Sequence, residues 1–263
     1  MTGIDQPVAS APGETGTPQR KHLLRKLRLL VHLVEGLTTC ALLFWWIKPH
    51  TKQALIQRWS RKLLALFRVS LVVHGEPVEG KDLAGSMLVS NHVSWIDIYA
   101  INSWYPPRFV AKSEIRSWPV MLCAQTGVLF VERARKRDAH RIMHAIADAM
   151  RAGDAICVFP EGTTSDGLQL LPFHANLFQA PVSAGAPIRP VALRYRIAAT
   201  GELTTIPAYI GDLSMMDTIN AILNGPPLVV EVFVGPAVAP EMDRRALAAH
   251  SQEAVAALIA RAG

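Results

Sequence analysis

A chain of 263 residues, half of them apolar, is long enough for one large domain with appendages and apolar enough for a full core. Its net charge of +6 is local: residues 20–68 hold 11 of the 27 Lys and Arg beside one acid, Glu35, and the remainder has 16 bases against 20 acids. Cys40, Cys123 and Cys157 form no C-x-x-C pair and no even framework, which argues against a secreted disulfide fold and fits a reducing compartment.

Residues 1–19 are rich in Pro, Gly, Thr and Ser without apolar periodicity and read as a disordered tail. They do not form a signal peptide, because the basic stretch starts only at Arg20 and the apolar run ends in bulky Phe44-Trp45-Trp46-Ile47. From Leu29 to Ile47 only His32 and Glu35 are strongly polar. A spanning helix needs about 20 mostly apolar residues, so a crossing helix and one lying in a single leaflet both fit. Trp45 and Trp46 sit where interfacial aromatics sit, and bases flank both ends. Residues 54–68 repeat Leu55, Ile56, Trp59, Leu63, Leu66 and Phe67 at helical spacing, interrupted by Arg58, Arg61, Lys62 and Arg68. That pattern predicts a basic amphipathic helix at a membrane surface, with a solvated helix packed on the domain as the alternative. Basic residues interleaved with Leu and Trp suit an anionic lipid surface better than nucleic acid.

From residue 70 the period changes. Short apolar runs at 70–74, 86–90, 108–111, 128–131, 155–159, 188–195 and 228–234 predict strands. Helical patterns fall near 95–104, 118–126, 135–152, 172–185, 213–223 and 241–261. Strands separated by helices predict an α/β domain around a single, largely parallel sheet. The expected organisation is a tail over 1–19, a membrane-anchoring helical segment over 20–69 and the α/β domain over 70–263.

Two polar stretches end apolar runs. The first, Ser90-Asn91-His92-Val93-Ser94-Trp95-Ile96-Asp97, places a histidine in a strand-to-helix turn, where ligands gather in open α/β sheets. A neutral imidazole there can take a proton from a hydroxyl, helped by a carboxylate on its other nitrogen, and Asp97 lies five residues on. The same residues also fit a helix-capping pattern, with Ser94 as cap and Asp97 reaching back. On this stretch alone the two readings stand level. The second, Phe159-Pro160-Glu161-Gly162-Thr163-Thr164-Ser165, offers a glycine for close backbone approach and small hydroxyl residues suited to anionic oxygens. An ordinary turn is the alternative, but two such loops at the ends of separate strands favour a shared site.

Four blocks in order give the chain a further likeness: Asn91-His92 with Asp97, Gly127-Val128-Leu129-Phe130-Val131-Glu132-Arg133, Phe159-Pro160-Glu161-Gly162-Thr163, and Ala186-Pro187-Ile188-Arg189-Pro190-Val191. With Phe109-Val110-Ala111-Lys112, they resemble the glycerolipid (lysophospholipid) acyltransferases over roughly residues 70–200, the first block matching the family's H-x-x-x-x-D motif. The resemblance implies a glycerol-3-phosphate acyltransferase-like sheet with helices on both sides and membrane-anchoring N-terminal helices. It implies transfer of a fatty acyl group from a thioester to a lipid hydroxyl, 1-acyl-sn-glycerol-3-phosphate giving phosphatidic acid. His92 would be the general base and Asp97 its orienting acid. Arg133 and Lys112 would face the anionic head group, and Glu161, Gly162, Thr163 and Pro190 would shape the acceptor site. No cofactor is implied; acyl-coenzyme A or acyl-acyl carrier protein serves as co-substrate. The implied partners are membrane lipids and that thioester, without nucleic acid, at the cell inner membrane with the site facing the cytoplasm.

Two departures concern the acceptor. Thr164 stands where the family has arginine, which removes a bidentate phosphate ligand that Arg133 or Arg189 would have to replace. Phe173-His174-Ala175-Asn176 stands where many relatives have Phe-Lys-x-Gly. Lyso-ornithine lipid acyltransferases look similar in pattern and are the alternative. A serine hydrolase would need a G-x-S-x-G elbow, which the sequence lacks. His140 and His144 have metal-ligand spacing without a third ligand or H-E-x-x-H, so a solvated helix face is favoured.

Overall fold

The computed structural model describes residues 18–75, 80–112, 129–131 and 136–261, of which 18–23, 111–112, 129–131 and 136–140 are described by backbone alone. Two helices come first, α1 (Pro18–Leu43) and α2 (Pro49–Leu66). The order is then β1 (Val69–His74), α3 (Gly80–Leu83), β2 (Met87–Ser90), α4 (Asp97–Trp104), β3 (Arg108–Lys112), β4 (Leu129–Val131), α5 (Lys136–Arg151) and β5 (Ile156–Val158). A 3-10 turn at Ala175–Phe178, α6 (Gln179–Ala184), β6 (Ile188–Ile197), α7 (Met215–Asn224), β7 (Leu228–Val234) and α8 (Arg244–Arg261) complete the chain.

All seven strands expected from the apolar runs are present, within a residue or two of their expected bounds. They form one sheet in the order β1-β7-β6-β2-β5-β3-β4. Pairing is parallel throughout except between β6 and β7, so β7 and its parallel partner β1 run against the other five. Apolar runs mark strands but not their direction, and the antiparallel junction was not legible. The helical pattern over 172–185 divides into the 3-10 turn and α6, and the helix expected at 118–126 lies outside the described residues.

Alternation along the strands sends side chains to two cores. Leu88, Cys157, Val191 and Leu193 join α2, α4 and α7 on one face; Met87, Val89, Ile156 and Ile188 join α5, α6 and α8 on the other. Helices thus cover both faces of the sheet, which puts the carboxyl ends of β2 and β5, the two central parallel strands, side by side at one edge of the domain.

The N-terminal helices differ from expectation. No described helix is long and apolar enough to cross a membrane. The polar interruptions in the apolar run, His32 and Glu35, are contacts between α1 and α2. His32 is buried, its Nε2 lies 3.0 Å from the Trp59 carbonyl, and its ring stacks on Trp59 at 4.6 Å. Trp59 Nε1 donates to the His32 carbonyl, and Lys62 pairs with Glu35 at 2.6 Å. A spanning helix would have left those groups facing lipid; the hairpin gives each a partner. α2 in turn buries Leu63, Leu64 and Phe67 in the first core, and Gln57 and Arg61 donate to the carbonyls of Trp104 and Ser103 at the end of α4.

Gly36 lets α1 approach Trp59: a Cβ there would stand 2.5 Å from Trp59 Nε1. Gly36→Ala should displace an indole that is already fixed by its hydrogen bond and stack, costing about 1–3 kcal/mol. A lower denaturant midpoint and faster tryptic cleavage in α1 are the expected readouts; an unchanged midpoint would show that the hairpin yields freely.

Candidate active site

β2 ends at Ser90, and the chain turns through residues 91–96 before α4 begins at Asp97. Asn91 fixes the start of the turn. Its amide Nδ2 donates to the Leu193 carbonyl at 3.1 Å and its Oδ1 accepts the Leu193 N–H at 2.8 Å, so the side chain continues the β2–β6 pairing where the strand stops.

His92 Nδ1 lies 2.8 Å from Asp97 Oδ2. The same oxygen accepts the backbone N–H groups of Val93 at 2.7 Å and Ser94 at 2.9 Å, and Oδ1 accepts the Tyr195 hydroxyl at 2.5 Å. Asp97 is 0% exposed and His92 19%. The two readings of Asp97 are therefore not exclusive, because one oxygen closes the turn and holds the imidazole. The capping box is half formed: Asp97 accepts the Ser94 N–H, but the Ser94 hydroxyl is buried without a partner. With Nδ1–H donated to the carboxylate, Nε2 is the nitrogen left to accept a proton.

The loop after β5 grips the same histidine from the other side. The His92 N–H donates to Glu161 Oε1 at 2.6 Å, and the Leu171 N–H donates to Oε2 at 2.9 Å. The Ser165 N–H donates to the His92 carbonyl at 2.8 Å, and the imidazole stacks on Phe159 with centroids 4.0 Å apart. Gly162 has φ of 70°, the left-handed region that glycine enters without strain. Thr163 is exposed beside it. Thr164 does not point its hydroxyl at a ligand; it donates to the Tyr209 carbonyl, and the Tyr209 N–H donates to the Val93 carbonyl at 2.9 Å. The His174 N–H holds the Pro160 carbonyl at 2.9 Å.

The structure therefore brings together His92, Asp97, Glu161, Gly162 and Thr163. Pro190 is buried within β6 opposite Val89, one strand away from the turn, and Arg189 Nη1 donates to the Gly235 carbonyl. Lys112 ends β3 opposite Val131, with only its backbone described, and Arg133 lies outside the described residues. His144 is on the exposed side of α5, and no group of three His, Cys, Asp or Glu among the described residues could hold a metal. The contacts of Tyr195, Leu171 and Phe159 were not read from the sequence.

Burial shapes the electrostatics. It pushes the Glu161 carboxyl upward against the opposing pull of the Leu171 and His92 amides. It pushes the Tyr195 phenol well up, reinforced by the Asp97 charge, so Tyr195 acts only as a donor. Cys157, fully buried beneath the turn, is raised by burial and then by Asp97, which keeps the thiol neutral and inert.

Against this geometry the likenesses can be set. Residues 71–194 match the family described as Acyltransferase. A 1-acyl-sn-glycerol-3-phosphate acyltransferase of Neisseria meningitidis is 37% identical over 216 residues, 81% of this chain and 83% of that protein. The chain belongs to the acyltransferase family. A lyso-ornithine lipid O-acyltransferase of Brucella abortus is 35% identical to this chain over 245 residues, 88% of this chain and 91% of that protein. The crystal structure of the 1-acyl-sn-glycerophosphate acyltransferase of Thermotoga maritima has the same fold, with a TM-score of 0.62 at 19% identity over 91% of this chain and 97% of that one.

The Glu161 shift has a sign that stability can report. The folded value lies above the unfolded one, so this group's contribution is full below the ordinary glutamate range and is lost as pH rises through the raised folded value. Glu161→Gln removes that titration but turns an NH₂ toward one of two N–H donors, costing about 1–3 kcal/mol. The stability gap between wild type and Glu161→Gln should therefore narrow as pH rises above the ordinary glutamate range, about pH 4. A gap constant across that range would contradict the burial of an ionisable carboxyl.

Proposed function

We propose that the enzyme transfers a fatty acyl group from an acyl thioester to the free hydroxyl of a lysophospholipid, 1-acyl-sn-glycerol-3-phosphate, giving phosphatidic acid. The observation that carries this is the His92–Asp97 contact at the end of β2, inside the region that matches the family. His92 Nε2 takes the proton of the acceptor hydroxyl as its oxygen attacks the thioester carbonyl. The tetrahedral intermediate then expels the thiolate, which leaves as thiol with the proton from the imidazolium. The hydroxyl attacks directly, so no acyl-enzyme forms and no cofactor beyond the thioester, carried on coenzyme A or acyl carrier protein, is consumed.

Glu161 shapes the acceptor site through the backbone, since its two oxygens hold the amides of His92 and Leu171. Gly162 and exposed Thr163 form the loop surface beside the base, and buried Pro190 belongs to the strand behind it. Arg133 and Lys112 supply the positive field for the head group. One observation favours the second reading, a lyso-ornithine lipid as acceptor: Thr164 replaces a cation and its hydroxyl is taken by the Tyr209 carbonyl.

With one labelled acyl donor, purified enzyme should acylate lysophosphatidate in preference to lyso-ornithine lipid, and turnover of the second alone would overturn the choice of acceptor. His92→Ala should lower kcat by on the order of 10²–10⁴-fold with the fold intact. Near-normal turnover by a folded His92→Ala enzyme would remove the histidine from its role.

The enzyme works at the bacterial inner membrane from the cytoplasmic side, where thioester donors are made. The α1–α2 hairpin supports a surface attachment. α1 exposes Leu27, Val31, Val34 and Leu42, the following turn exposes Trp45 and Trp46, the latter 87% exposed, and Arg25, Arg28, Lys48 and Lys52 lie among them. Because α2 is built into the core, removing residues 1–69 would strip Leu63, Leu64 and Phe67 from the domain. Substitution is the cleaner probe. Trp45→Ser with Trp46→Ser should abolish sedimentation with phosphatidylglycerol vesicles and leave Tm within a few degrees, as both side chains are mostly exposed. Undiminished vesicle binding would place the attachment elsewhere.

A further inference from the structure

We propose that Tyr195 is a positioning residue of the reaction: its hydroxyl fixes Asp97 so that one oxygen faces His92, and it restrains how strongly that carboxylate pulls on the imidazole. The inference rests on the reading of His92 as base.

Asp97 has two oxygens with separate duties. Oδ2 meets the imidazole and the two turn amides; Oδ1 meets the Tyr195 hydroxyl at 2.5 Å. The carboxylate is wholly buried; three donors hold Oδ2, and among the described residues the phenol is the contact shown on Oδ1. Such terminal torsions are broad and roughly two-fold, so a rotamer alone does not hold the plane. The phenol completes the hold from the second oxygen, because Tyr195 is itself fixed: 3% exposed, on β6, with its backbone in ladder register against Val230. Two residues earlier on the same strand, Leu193 is locked to Asn91. Asn91 and Asp97 bracket the turn, and both are tied to β6, so the strand acts as a backplate for the histidine.

The bond also sets electronics. A donor on Oδ1 draws off negative charge and makes Oδ2 a weaker partner for the imidazolium. Without it the charge on Oδ2 is undiminished and the imidazolium is held more strongly. Among the described residues the other titratable groups near the pair are Cys157 of β5 and Glu161 of the following loop; both are raised by burial, and Glu161 reaches His92 through its amide. Neither touches Oδ1, so substitution of Tyr195 isolates one contact.

The test uses full-length enzyme in mixed micelles of detergent and lysophosphatidate, with kcat/KM followed against pH. Tyr195→Phe keeps the buried ring. It should lower kcat/KM by about tenfold, part of the roughly 10²–10⁴-fold that a positioned base supplies, and raise the acid limb of the profile by about half a unit or more. Site-specific 3-fluorotyrosine at position 195, a stronger donor that retains the shape, should move the acid limb the other way. In an Asp97→Asn background, Tyr195→Phe should have little further effect, since the two act as a unit. An acid limb unmoved by either change, or losses that add across the double variant, would overturn the role of Tyr195. Failure of the underlying reading looks different: His92→Ala would retain turnover. A dead His92→Ala enzyme with an unmoved Tyr195→Phe profile refutes the positioning role alone.

Discussion

The fold around the site depends on keeping a carboxylate dry. Asp97 is fully buried, and an ionised carboxylate in that setting is tolerable only when its oxygens are met by donors. The imidazole, two turn amides and a phenol meet them. They come from different places, the turn after β2 and the neighbouring strand β6, distant in sequence, so the requirement constrains more than the local helix start. The turn must fold back within five residues for its own amides to reach Oδ2. β6 must pair with β2 in the register that sets Val191 beside Ser90, which puts Tyr195 over Asp97.

Glu161 repeats the arrangement from the opposite side. It is also buried, and its oxygens accept amides from His92 and from Leu171 ten residues ahead. Two buried carboxylates therefore hold one histidine, one by its ring and one by its main chain. The Ser165 amide takes the remaining backbone group, the His92 carbonyl, and Phe159 lies flat on the ring. Every polar group of His92 except Nε2 is committed. Order of this kind is set at folding and need not be established at each turnover, which is how a rigid scaffold holds a reacting group in place.

What the sequence disclosed follows from the range of the signal. Alternation and apolar runs are local, and they located the seven strands and the histidine between β2 and α4. They could not give the direction of β7, because its alternating pattern reads alike from either end. The capping pattern at Ser94 and Asp97 was legible as a pattern, but not which half forms: the Asp97 N–H donates to the Ser94 carbonyl and not to its hydroxyl. Tyr195 had no signal at all: it stands 98 positions from Asp97, in a strand where an aromatic reads as core. His32 and Glu35 looked like flaws in a membrane segment because their partners, Trp59 and Lys62, belong to the next helix. No window confined to α1 contains them.

Thr164 shows why a motif position cannot be translated into a function one residue at a time. Read alone, threonine for arginine subtracts a cation from the acceptor site. In the fold it also adds a tie, since its hydroxyl holds the Tyr209 carbonyl while the Tyr209 amide is held by the carbonyl of Val93, next to His92. A hydroxyl can make that bond in the space given; a guanidinium, longer and planar, would have to point elsewhere. The substitution thus couples the Glu161 loop, the segment around Tyr209 and the His92 turn into one wall of the site. Restoring arginine there would add charge and release the wall together, so acceptor preference at this position belongs to the assembly of three segments and not to the side chain by itself.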